Sequence, residues 1–156
     1  MPRPPNSGSL TERDWDRLEE LADRFAAAWN QAGAVDLTTY LPPVGDPLRP
    51  TALQELIKTE LEICWRRGLQ CELEGYVQRF PELGSSSELP AALIYEELRV
   101  RRLHGDRPAV STYRRRFPAQ WPELERLLLA EPLTDTIKRS RIRARPKSAT
   151  RTCLSL

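Results

Sequence analysis

Leu56–Leu83 reads LIKTELEICWRRGLQCELEGYVQRFPEL, and 37 residues further on Leu93–Pro118 reads LIYEELRVRRLHGDRPAVSTYRRRFP. Laid over each other without a gap, Leu56-Ile57 falls on Leu93-Ile94 and Glu60-Leu61 on Glu97-Leu98. Gly68 falls on Gly105, Tyr76 on Tyr113, and Arg79-Phe80-Pro81 on Arg116-Phe117-Pro118. Nine identities at one offset mark an internal repeat, the sequence signature of stacked supersecondary units. A fainter copy precedes them: Phe25, Trp29, Gly33, Tyr40 and Pro42 keep the plan, with one residue fewer between Gly and Tyr.

Each copy reads as a long helix, a glycine stop, a short helix and a proline stop. Leu53, Leu56, Ile57, Leu61, Cys64 and Trp65 recur at helical spacing, as do Trp15, Leu18, Leu21, Ala22, Phe25, Ala28 and Trp29. The long helices are predicted over Leu10–Ala32, Ala52–Arg67 and Pro90–His104, the last stopped by Gly105. Ser9 with Glu12, and Thr51 with Gln54, have capping-box spacing, and Gly33 and Gly68 close the first two. The short helices are predicted over Asp36–Leu41, Glu72–Phe80 and Ala109–Phe117. A last helix starts near Pro122 with Leu124, Leu127 and Leu128, and Pro42–Pro50 and Gly84–Leu89 read as linkers. Strand signals are almost absent, because β-branched residues are scattered and never alternate. The fold class is therefore all-α: about three degenerate helix–turn–short-helix hairpins, each burying its stripe against its neighbours. A flexible N-terminus over 1–9, a helical domain over 10–131 and a basic disordered tail over 132–156 complete the organisation. The tetratricopeptide plan, with its period near 34, does not fit.

Charge divides the chain. No acidic residue follows Asp135, and the last 21 residues hold seven basic ones between Lys138 and Arg151. Taking those seven from the 24 Lys and Arg leaves 17 against 22 acidic side chains in the rest. Such a tail suits solvated disorder or contact with nucleic acid or an anionic surface, although no aromatic follows Trp121 to stack on bases. No apolar run approaches the roughly 20 residues of a membrane span, and Met1–Leu10 lacks the apolar core of a secretory signal. The three cysteines, Cys64, Cys71 and Cys153, have no disulfide spacing. They read as free thiols, and the expected location is cytoplasmic.

Catalytic signatures are missing from the chain. No two of the seven glycines are separated by a single residue, so there is no Gly-x-Gly phosphate cradle. Nor is there a Gly-x-Ser-x-Gly elbow or a His-Glu-x-x-His pair. The lone histidine, His104, reads as a basic group favourably placed at a helix C-terminus. No metal or cofactor is expected, and no catalytic residue is assigned. Glu60 and Glu97 lie on apolar stripes, where an unpaired carboxylate is costly. A pair of such groups could do acid–base work, yet each stands at the same place in its own repeat, which favours structural pairing. The partners offered are Arg79 and Arg116, each 19 residues on, where the hairpin turn brings the chain back, with Tyr76 or Tyr113 as the fallback. The first copy has Phe25 and Pro43 at those two positions, so both charges are absent together. Tyr76, Phe80, Tyr113 and Phe117 are expected to pack inside the hairpins, and the four tryptophans to anchor the core.

The stretch at 56–83 resembles the helical region that precedes the catalytic domain in bacterial Hanks-type serine/threonine protein kinases. FAAAWNQAGAVDLTTYLPP at Phe25–Pro43 and YRRRFPAQWPEL at Tyr113–Leu124 resemble the same region, and the likeness runs from about Leu18 to Pro132. It implies a regulatory, non-catalytic module that binds a protein partner. After Glu131-Pro132 a kinase would continue with a Gly-rich loop, a phosphate-pairing Lys, a His-Arg-Asp loop and Asp-Phe-Gly. This chain has none of these, and the resemblance implies the associated region alone, truncated or free-standing. The alternative function is nucleic-acid or anionic-surface binding through the basic tail.

Overall fold

A computed structural model describes residues 10–131 and Leu133. The N-terminus expected to be flexible, and the basic tail apart from Leu133, lie outside the described residues. Among the described residues six α-helices follow one another: α1 (Glu12–Ala32), α2 (Arg49–Arg66), α3 (Leu73–Arg79), α4 (Ala91–His104), α5 (Val110–Arg116) and α6 (Trp121–Ala130). No strand occurs among the described residues. The long helices stand in the order α1, α2, α4, α6, each packed on the next, and α3 also touches α4.

The helix ends show which local signals dominate. α1 is capped by Thr11, whose hydroxyl accepts from the Asp14 N–H while the Asp14 carboxylate accepts from the Thr11 N–H. The box is thus Thr11/Asp14, and Ser9/Glu12 is corrected: Thr11 and Asp14 have the same three-residue spacing two positions later. Gly33 closes α1 in the left-handed conformation, and Arg67 of the α2 terminus donates to the Trp29 carbonyl at 3.1 Å. α2 begins at Arg49 rather than Ala52, so Thr51 lies inside the helix and Thr51/Gln54 caps nothing. The Asp46 carboxylate accepts the Leu48 N–H at 2.8 Å and sets the earlier start. Pro50 fits the first turn, where its missing N–H costs no bond. The expected helix over Asp36–Leu41 shrinks to one 3-10 turn, Leu37–Tyr40. Asp36 caps Thr38, and Pro42-Pro43 follows at once, so there is no room for an α turn. The Gly84–Leu89 linker holds its own 3-10 turn, Ser86–Glu88, with a Ser85/Glu88 capping box.

One apolar core runs from Phe25 and Trp29 through Leu53, Leu56, Ile57 and Leu61 to Leu93, Ile94, Leu98 and Leu124. Tyr76, Phe80, Tyr113 and Phe117 are all buried in it. A smaller cluster of Trp15, Leu18, Leu48 and Ala52 joins α1 to the start of α2. Trp15, Trp29 and Trp65 are core residues, whereas Trp121 is only half-buried. In the first hairpin the Phe25 ring meets Tyr40 edge-on, centroids 5.5 Å apart. That apolar contact stands where the later hairpins put a carboxylate against a phenol.

The two aligned glycines, Gly68 and Gly105, are needed for different reasons. Gly68 has φ +76°, which only glycine adopts cheaply. Gly105 has φ −124°, open to any residue, but a Cβ there would sit 2.5 Å from the Trp65 ring. Left-handed backbone appears two residues later, at Arg107. Gly105→Ala is therefore expected to destabilise the fold by about 1–3 kcal/mol through overpacking. Gly68→Ala should cost about 1 kcal/mol through backbone strain. Denaturant melts of both variants test this, and only the Gly105 loss should be relieved when Trp65 is shortened to Leu.

Candidate functional site

The two carboxylates that the sequence places on apolar stripes sit under the short helices, and their surroundings differ. Glu97 of α4 is 0% exposed. Its Oε1 accepts from the Tyr113 hydroxyl at 2.5 Å, Arg116 Nη1 at 2.6 Å and Arg101 Nη1 at 3.3 Å. Its Oε2 accepts the backbone N–H of Leu73, the first residue of α3, at 2.8 Å. Arg116 also grips Glu74 of α3 with two nitrogens, at 2.8–3.2 Å. One carboxylate thus ties α4 to α5 and to the preceding short helix α3.

Glu60 of α2 accepts from the Tyr76 hydroxyl at 2.7 Å and from Arg79 Nη1 at 3.3 Å, both on Oε1. The expected partners do meet, but more loosely. The Arg79 side chain is 45% exposed against 21% for Arg116. The residue aligned with Glu74 is Thr38, which offers Arg79 no second carboxylate. The residue aligned with Arg101 is Cys64, which brings no cation. Among the described residues no donor reaches Glu60 Oε2. A cavity of about 230 Å³ opens beside this carboxylate, lined also by Cys71, Glu72, Gly75, Tyr76 and Arg79.

Electrostatics follow burial and pairing. Burial, then the neighbouring glutamate, pushes both phenols, Tyr76 and Tyr113, well above the usual tyrosine range. Cys64 and Cys71 are free thiols. The neighbouring Cys71 thiol, helped by burial, pushes Cys64 up, and Cys64 in turn lowers Cys71. His104 ends α4 with a buried, unpartnered Nε2. Burial, followed by the Arg66 charge, lowers its pKa, so the cationic helix-end role expected for it gives way to a neutral ring. Among the described residues no group of three His, Cys, Asp or Glu side chains could hold a metal ion. No described helix is long and apolar enough to cross a membrane.

Other buried charges escape a single-stripe reading. Glu55 is buried and pairs with Lys58 at 2.9 Å. Arg99 and Glu96 are buried together, Arg99 Nε lying 3.1 Å from both Glu96 oxygens, and Arg99 reaches Glu62 at 3.8 Å. α2 and α4 are central helices covered on nearly every side, so their polar faces are enclosed too. The i,i+3 spacing of Glu55 with Lys58 and Glu96 with Arg99 was a visible pairing signal, though not a signal of burial.

Compared with protein-family models, curated proteins and solved structures, the chain finds no match.

The pairings generate two expectations. In a double-mutant cycle, Glu97 and Arg116 should couple more strongly than Glu60 and Arg79. Removing Glu97 should cost about 3 kcal/mol or more, as for a broken buried pair. Coupling between Glu60 and the half-exposed Arg79 should stay within about 1 kcal/mol. Additivity within about 0.5 kcal/mol at Glu97 and Arg116 would refute the pairing. Burial raises the Glu55 pKa, and its Oε2 is unpartnered. A carboxyl raised in the folded state destabilises it above the folded pKa, and the penalty vanishes once both states are protonated. Glu55→Gln should therefore stabilise the chain at pH 7, with a gain that shrinks as pH falls through the raised Glu55 pKa and is gone once pH is below the usual carboxylate value. A gain independent of pH would count against the burial penalty.

Proposed function

We propose that this chain is a non-catalytic helical module that binds a protein partner, of the kind that precedes the catalytic domain in bacterial serine/threonine kinases. The observation that carries the reading is the fate of Glu97. The most deeply buried carboxylate is saturated by four donors and has no exposed surface, so it serves as a strut rather than as an acid or base. Glu60 is likewise engaged with Tyr76 and Arg79. His104, the only imidazole, sits among Arg66, Glu62 and Arg99. The conserved chemistry of a phosphoryl-transfer site, a phosphate-pairing Lys with Mg²⁺-binding carboxylates, has no counterpart in the sequence. What the fold supplies is a set of packed helices with a polar cavity beside Glu60. The alternative, anionic-polymer binding, rests on the charge of the tail alone.

Two measurements on the full chain test this. Millimolar Mg-ATP should leave the melting temperature unchanged, because only a ligand that binds the native state raises it; a rise of several degrees overturns the non-catalytic reading. Binding to kinase catalytic domains encoded in the same genome should survive a salt increase from about 50 to 200 mM, whereas binding through phosphates would fall steeply over that range. A chain that binds duplex DNA with a steep salt slope, and binds no such domain, supports the tail instead.

A further inference from the structure

Position 64 is where the two hairpins part. In the later hairpin the aligned residue is Arg101, whose Nη1 lies 3.3 Å from Glu97 Oε1 and 3.3 Å from the Tyr113 hydroxyl. Its other nitrogens take Asp106 at 2.6 and 3.0 Å. In the earlier hairpin Cys64 is buried, and the carboxylate–phenol pair Glu60–Tyr76 faces a cavity of about 230 Å³. That volume corresponds to several waters at about 30 Å³ each. Glu60 is itself 94% buried by side chain, its exposure being 6%, and Oε2 takes no donor among the described residues. We propose that this cavity receives the arginine side chain of a protein partner, which completes around Glu60 and Tyr76 the arrangement that Arg101 completes around Glu97 and Tyr113.

Two further observations point the same way. Gly75 lines the cavity from within α3, at the position aligned with Thr112. A glycine inside a helix weakens it, yet Gly75 has no positive φ, and a Cβ there would meet nothing within 4 Å. Nothing inside the chain calls for glycine at this point; an entrant at the cavity mouth would. The second observation is charge. Glu97 already holds two guanidinium groups, Arg116 and Arg101, because Glu74 and Asp106 share them. Beside Glu60 the extra carboxylate is Glu72, and the one guanidinium present, Arg79, is half-exposed and touches only Oε1. A guanidinium suits the site better than an ammonium, since its planar fork can bond a carboxylate and a phenol oxygen at once.

This site deepens the interaction-module reading and rests on it only in supposing that the arginine belongs to another protein. The probe is N-acetyl-arginine-N′-methylamide, titrated into the full ¹⁵N-labelled chain and followed by amide shifts. Saturable shifts are expected at Cys71, Gly75 and Tyr76, and none at Tyr113. The citrulline analogue, which lacks the charge, should bind at least tenfold more weakly. Glu60→Gln keeps an acceptor for Tyr76 and should abolish the shifts. Gly75→Thr, which copies the later hairpin, should leave the chain folded but weaken the probe at least tenfold. Shifts that persist in both variants, or that spread along α1, overturn the proposal. So does equal binding of citrulline. The kinase-domain measurement reads a different event, so either result can fail while the other stands.

Discussion

A carboxylate with no exposed surface must be neutral or fully hydrogen-bonded, and Glu97 meets that demand by collecting donors from separate parts of the chain. Its partners come from α5 (Tyr113, Arg116), from its own helix (Arg101) and from the backbone at the start of α3 (Leu73). Apolar packing alone would let α5 slide along α4, because dispersion contacts are individually weak and non-directional. A buried charge penalises every arrangement but one, since a slip of a few ångströms leaves it unpaired. The Leu73 bond and the Arg116–Glu74 fork extend that constraint from one hairpin to the one before it. The relative placement of α3, α4 and α5 follows from this one group.

Going toward the N-terminus the device weakens by steps. Glu60 keeps the phenol and one loosely held arginine, and loses the cross-hairpin carboxylate because Thr38 stands where Glu74 would. One hairpin earlier the charge is gone, and Phe25 against Tyr40 makes an apolar contact in its place. Loss of glutamate and arginine at the same step fits a pair whose members are costly apart.

The all-helical class and most helix boundaries were legible because apolar spacing and glycine stops speak directly about the backbone. Gly33, Gly68, Gly105 and the Phe-Pro pairs mark the stops to within a residue or two. Helix starts were less legible. Several Ser, Thr and Asp residues with box spacing compete near each start, and only tertiary contacts choose among them. Thus Thr11 prevailed over Ser9, and Asp46 with Pro50 over Thr51. The Glu–Arg pairs could be read because the two hairpins supply two instances and the first supplies their joint absence. The enclosed Glu55, Glu96 and Arg99 could not, because a stripe argument assumes a polar face open to water, and α2 and α4 have little of one.

The contrast between Gly68 and Gly105 shows why matched residues need not have matched causes. Gly68 is held by its own backbone angle, Gly105 by the Trp65 ring of the neighbouring helix. That ring also carries the Arg101 guanidinium, 5.0 Å from its centroid, just as the Trp29 ring carries Arg67 at 5.5 Å. The α2 terminus and α4 thus each lay an arginine on the tryptophan of the long helix before, and at Gly105 the glycine lets the chain turn without lifting the ring. Cys64 breaks this order on one side only. Arg67 still covers Trp29, while nothing of Arg101's kind reaches Glu60. The cavity lies beside the carboxylate–phenol pair that lacks this second guanidinium, and Tyr76 and Arg79 on its lining are already held by Glu60.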